Sequence, residues 1–156
     1  MQHAHTHVYG TFPSRLGTEK LALVMAERFL APFHIDEEIV SDIKTILAEC
    51  CLNAMEHGNA FDPLCDYAVE LELEMKELLI RVFNSGTSNI DKDEVINAFP
   101  TIESAFSENS RTRGWGLQLI DQLANNWEFC TRQGRTFLEV QVKIPNRNGG
   151  ERLAGQ

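Results

Sequence analysis

Glu49, Asn53 and His57 recur at i, i+4 and i+8 within ILAECCLNAMEHG, residues 46–58. On an α-helix that spacing sets a carboxylate, an amide and an imidazole in one row. A carboxylate at the edge of a core-facing helix suits a general base that polarises a hydroxyl or a water. An amide oxygen suits a hard cation such as Mg²⁺, which takes oxygen ligands and fills its other positions with waters and phosphates. Each residue alone has an ordinary structural use: a salt-bridged glutamate, an asparagine bonded to nearby backbone, a histidine favoured by the dipole at a helix end. The shared row is what points to chemistry.

Two further stretches offer complementary groups. Gly114-Trp115-Gly116-Leu117 joins a polar segment to an apolar-periodic one. Glycines let backbone N–H groups approach an anion, and a helix N-terminus favours negative charge. Arg111 and Arg113 lie just upstream, within reach of phosphate. A single G-x-G is a weak signal; here its position, with arginines before and a helix after, gives it weight. Asn84-Ser85-Gly86 closes a strand, a corner that can put a side chain into a pocket while glycine leaves room for a flat ring, although N-S-G is also good turn composition.

The elements that must hold these groups follow from periodicity. Residues 3–12 read as a short first strand. Residues 15–30 read as a helix carrying Leu16, Leu21, Leu23, Val24 and Phe29, with Ser14 or Thr18 as its cap and Pro32 as its stop. A second helix opens near Asp36, with Glu37 and Glu38 in its first turn, and runs to His57, where Gly58 ends it. Its apolar stripe is Ile39, Ile43, Ile46, Leu47, Cys50 and Ala54, with Glu49 and Asn53 on the border. Tyr67, Val69, Leu71, Leu73 and Met75 alternate with polar residues, predicting a half-buried strand whose return is residues 78–83. A short helix over 91–99, a mobile segment over 107–113 and a third helix over 117–124 follow. A last hairpin pairs 127–131 with 136–144 around Gln133-Gly134. The predicted fold is α+β, a two-layer sandwich of one mainly antiparallel sheet with helices on one face and water on the other.

Composition bounds the function. The 156 residues carry a net charge of −9, against a general nucleic-acid binder, which needs a basic face. No apolar run reaches the roughly 18 residues of a membrane span. MQHAHTH lacks the regions of a signal peptide, so a cytoplasmic address is the expectation. Cys50, Cys51, Cys65 and Cys130 form no C-x-x-C pair and read as buried reduced thiols. His3, His5 and His7 read as part of a polar N-terminus.

Taken together the motifs resemble the GHKL (Bergerat-fold) ATPases, whose domain is histidine-kinase-like, and within them the small anti-sigma factor serine kinases of bacterial partner switching. The resemblance runs from about His7 to Ile144, inside a domain expected over residues 1–146 with a disordered tail over 147–156. The family's N box, E-x-x-x-N-x-x-x-H-G, is matched by Glu49, Asn53, His57 and Gly58. Its G2-type box, G-x-G-L/F, is matched by Gly114, Gly116 and Leu117, and its G-x-T hairpin by Gly134 and Thr136. The G1 box departs: where the family has D-x-G-x-G, this chain has Asn84-Ser85-Gly86-Thr87-Ser88.

The resemblance implies ATP and Mg²⁺ as cofactors, with Glu49 as catalytic base and Asn53 on the metal. It implies that Asn53, His57, Gly58, Asn84, Gly86, Arg111, Arg113, Gly114, Trp115, Gly116, Leu117 and Thr136 line the nucleotide site. It implies a serine/threonine protein kinase acting on a STAS-type anti-anti-sigma protein, a sigma factor as further partner, and a homodimer. The altered G1 box leaves a second reading, a binding module of the same fold with little or no transfer and nucleotide as effector. A third is an ATPase that regulates some other protein.

Overall fold

The computed structural model describes residues 6–85, 93 and 114–145. In chain order its elements are β1 (Thr6–Pro13), α1 (Glu19–Leu30), α2 (Glu37–Asn53), β2 (Asp66–Leu73), β3 (Glu77–Phe83), α3 (Gly114–Leu123), β4 (Asn126–Arg132) and β5 (Arg135–Lys143). The five strands make one sheet in the order β1-β2-β3-β5-β4, every neighbouring pair antiparallel. The alternation read from the sequence becomes rows across it. Val8, Leu71, Ile80, Val140 and Trp127 stand opposite one another on the face that the helices cover. Ile43, Ile46, Leu47 and Cys50 of α2 are buried in the same core, so α2 lies where its apolar stripe predicts. The β4–β5 turn, Gln133-Gly134, has φ of 51° and 77°, the left-handed pair of a tight hairpin.

Four expectations need correction. The first helix starts at Glu19 and leaves Leu16 outside it; Leu23 and Phe29 pack against the core, Leu21 and Val24 are exposed, and the residues α1 buries fully are Ala22, Ala26 and Leu30. Small side chains let α1 lie close to its neighbours, a demand that hydrophobicity alone does not reveal. Thr18, one of the two expected caps, is the N-cap residue of α1, but its side chain makes no cap bond; Thr18 Oγ1 bonds Pro13 O and Tyr67 Oη instead, both at 2.9 Å. β2 ends at Leu73, leaving Met75 exposed in the turn. Cys50 and Cys51 are buried free thiols, as expected, whereas Cys65 and Cys130 are partly exposed.

The far face of the sheet is wet only in part. Arg81 donates to Glu139 (2.6 Å), Glu70 (2.6 Å) and Glu72 (2.8 Å). Toward one end of that face Ala68, Phe83 and Phe137 form a small buried cluster, with the Phe83 and Phe137 rings 4.7 Å apart and tilted by 34°. The Arg132 and Arg135 guanidinium groups lie over the Phe137 and Phe83 rings, at 5.2 and 5.3 Å, a cation–π arrangement. The expected helix over 91–99, the segment 107–113 and the tail fall outside the described residues, except for position 93.

Candidate functional site

α2 carries the first half of the row. Glu49 and Asn53 occupy its last regular turn, both partly buried. Burial raises the Glu49 pKa above 4.5, because desolvation penalises the charged carboxylate. At Ala54–Gly58 the α-helix widens into a π-helical turn. The row ends there. His57 does not continue it: the ring is half exposed and lies 3.4 Å from Glu56. A π turn holds more residues than an α turn, which rotates position 57 away from the edge that strict i+8 spacing would give.

The wide turn has a second consequence. It brings Gly58 against the Asn84 side chain so closely that a Cβ on Gly58 would overlap the amide. Across the same face Gly116, in the first turn of α3, lies against Glu49 Oε2, and a Cβ there would overlap the carboxylate. Both glycines are therefore places of close approach. α3 is fixed by Leu117 and Ile120, which pack into the core, and by Trp127 Nε1, which donates to Asp121 Oδ1 at 2.7 Å.

The strand side of the site is knitted by backbone. Asn84 N–H donates to Thr136 C=O at 3.1 Å, which puts the end of β3 beside the start of β5. Thr136 is buried, and its Oγ1 has no hydrogen-bond partner among the described residues. A buried hydroxyl without a partner invites an explanation from a ligand or a water. Asn59, just past the Gly58 stop, is the organising residue here. It is buried, its Nδ2 donates to Ser14 Oγ (2.8 Å) and Asp66 O (3.2 Å), and its Oδ1 accepts from Ser85 N–H (2.8 Å). One side chain thus joins the end of β1, the start of β2 and the corner after β3. Its only signal in the sequence is its place, one residue after Gly58.

The structure brings together Glu49, Gly116 and Leu117 on one side, and Gly58, Asn84 and Thr136 on the other. Gly86, Arg111 and Arg113 lie outside the described residues, as does the Trp115 side chain. Chemically, the site offers a carboxylate beside a helix N-terminus, whose first N–H groups have no intrahelical acceptor, and a corner carrying an amide and a hydroxyl that has no partner among the described residues. A separate group, Glu128, Cys130 and Glu139, converges on the opposite face, but Glu139 is already paired with Arg81.

A family model described as a histidine kinase-like ATPase domain matches residues 12–142. An anti-sigma F factor from Shouchella clausii (strain KSM-K16) is 33% identical over 76 residues, 49% of this chain and 52% of that protein. The chain thus spans about half the length of this curated relative. Among solved structures, a chain in the crystal structure of the SiaB-SiaC complex from Pseudomonas aeruginosa has a TM-score of 0.55 at 13% identity, covering 88% of this chain and 89% of that one. At that identity the likeness is one of fold.

Proposed function

The chain belongs to the histidine kinase-like ATPase domain family, and from that premise we propose that it binds Mg-ATP between α2 and α3 and phosphorylates a serine or threonine of a STAS-type regulatory protein. The observation that carries the reading is the packing of Glu49 Oε2 on the backbone of Gly116. It holds a base of raised pKa beside a helix N-terminus, which are the two groups phosphoryl transfer asks of a protein, positioning and charge stabilisation. The Thr136 hydroxyl, buried with no partner among the described residues, supports a nucleobase at the other end.

When bound, Mg-ATP supplies the γ-phosphoryl group and ADP as leaving group. Glu49 accepts the proton of the attacking hydroxyl as its oxygen bonds phosphorus. Asn53 offers its amide oxygen to the metal. The first-turn N–H groups of α3, with Arg111 and Arg113, offset the charge on the phosphates. His57 and Gly58 belong to the N box by motif; the exposed ring of His57 gives it the outer rim, and Gly58 supports Asn84.

The partial match to an anti-sigma F factor supports a sigma factor as the alternative partner, a cytoplasmic setting and a role in transcription regulation. Its second copy, if the protein dimerises, has a natural seat at β1. That strand is an edge of the sheet, and Leu21 and Val24 of α1 are exposed beside it. One observation favours the second reading, a binding module without transfer: Asn84 puts a neutral amide where the family pattern has a carboxylate.

The test is incubation with γ-labelled ATP, Mg²⁺ and a STAS-domain protein. Label is expected on a serine or threonine of the partner. Glu49→Gln should abolish transfer and spare nucleotide binding. Undiminished transfer by that variant would refute the base assignment, and binding without any transfer would favour the second reading.

A further inference from the structure

The far face of the sheet ends, at the β4–β5 hairpin, in two arginines. Arg132 and Arg135 are register partners across the two strands, and both are exposed. Like charges set opposite each other repel. No carboxylate pairs with either one among the described residues, although the chain has 23 acidic side chains against 14 lysines and arginines. The posture of the pair is fixed from below. The Arg132 guanidinium lies over the Phe137 ring and that of Arg135 over the Phe83 ring, and the rings are only 3% and 6% exposed. A guanidinium resting on a ring face keeps the N–H donors of its edge for another partner. A fork held before its ligand arrives loses less side-chain freedom on binding.

The surroundings select the occupant. Four residues back along β4 on the same face, Glu128 stands opposite Glu139, and Glu139 shares Arg81 with Glu70. This acidic band repels any anion long enough to cross it, which sets nucleic acid aside. A compact group of carboxylates is small enough to meet the arginines alone, and each guanidinium matches one carboxylate side on. A positive spot bounded by negative charge is complementary to an acidic cluster on a protein surface, in one orientation.

We propose that the hairpin tip, Arg132 with Arg135, is a docking surface for a partner protein, gripped through a cluster of aspartates or glutamates on that partner. Phe83 and Phe137 are the platform that holds the two forks side by side. Docking there needs no nucleotide.

Amide chemical-shift titration of the full chain with acetyl-capped hexaaspartate tests this, with inorganic phosphate titrated in parallel. The peptide is expected to shift residues 130–137 ahead of the rest of the chain. Raising the salt from about 20 mM to about 200 mM should weaken it severalfold, since the charges are exposed. Replacing both residues, Arg132→Ala with Arg135→Ala, should weaken it about tenfold, as the loss of two charge-assisted contacts implies. Arg132→Lys with Arg135→Lys keeps the charge and loses the fork, and its affinity should fall between the two. Undiminished binding by the alanine variant, or shifts centred elsewhere, would overturn the inference. So would phosphate binding as tightly as the peptide, which would leave a simple anion site in place of a protein-docking surface. A lysine variant equal to the wild type would overturn the part assigned to the rings.

Discussion

Glu49 is a partly buried carboxyl whose pKa is raised by desolvation, and the sign of its effect on stability follows. The folded chain holds the proton to higher pH than the unfolded chain does. As pH rises above the ordinary glutamate value the unfolded state ionises first, so stability falls through the interval up to the raised value. Glu49→Gln is therefore expected to raise the melting temperature at pH 7 and to leave it nearly unchanged near about pH 3, where both states are protonated. Calorimetric scans at the two pH values check this; equal gains at both would mean that packing, not ionisation, is responsible. Asn59 works in the opposite sense. Asn59→Ala removes bonds to Ser14, Asp66 and Ser85 and is expected to cost about 2–4 kcal/mol in urea unfolding, since the buried partners are left unsatisfied. The two residues also differ in legibility. Glu49 and Asn53 stand out because helical periodicity places them on one edge from local sequence alone. The role of Asn59 depends on three segments meeting, and an asparagine after a glycine reads locally as an ordinary turn.

Among the elements, the turn after α2 decides what the site looks like. Ala54–Gly58 is π-helical, and the chain then reverses through Ala60 and Phe61, both with φ near 50°. Nothing in AMEHG announces a wide turn, so the sequence leads His57 into a row that the structure ends at Asn53. Left-handed backbone strains any residue with a Cβ. Ala60 is exposed, so Ala60→Gly is expected to stabilise by about 0.5–1 kcal/mol, measured by urea unfolding. A loss would show that the reversal is not strained. The strands were readable for the reason that α2 was: β2 and β5 alternate with period two, and their core residues line up in register across the sheet. α1 misled, because hydrophobicity ranks its leucines above the alanines that its packing requires.

At the level of the whole molecule the sheet separates two environments. The helix-covered face holds the core and, at one end, the site; the other holds an ion network around Arg81. Arg81 is largely buried and bridges Glu70, Glu72 and Glu139. Arg81→Met leaves three glutamates together without a cation and is expected to destabilise by about 2–4 kcal/mol at pH 7. Urea unfolding tests it, and a loss under about 0.5 kcal/mol would show that the network contributes little. This network was not legible in advance. The alternation of β2 gives polar residues outward, but only the pairing of β3 with β2 and β5 sets Arg81 between Glu70 and Glu139.

The central claim is that α2, the turn after it, the corner at Asn84, the first turn of α3 and the β4–β5 hairpin form one nucleotide site. Amide hydrogen exchange with and without Mg-ATP tests it most directly. The account predicts slowed exchange at residues 49–59, 84–85, 114–118 and 134–137, with β1 and the middle of β4 unchanged. No change on adding Mg-ATP, or protection confined to the outer face around Arg81, would contradict it.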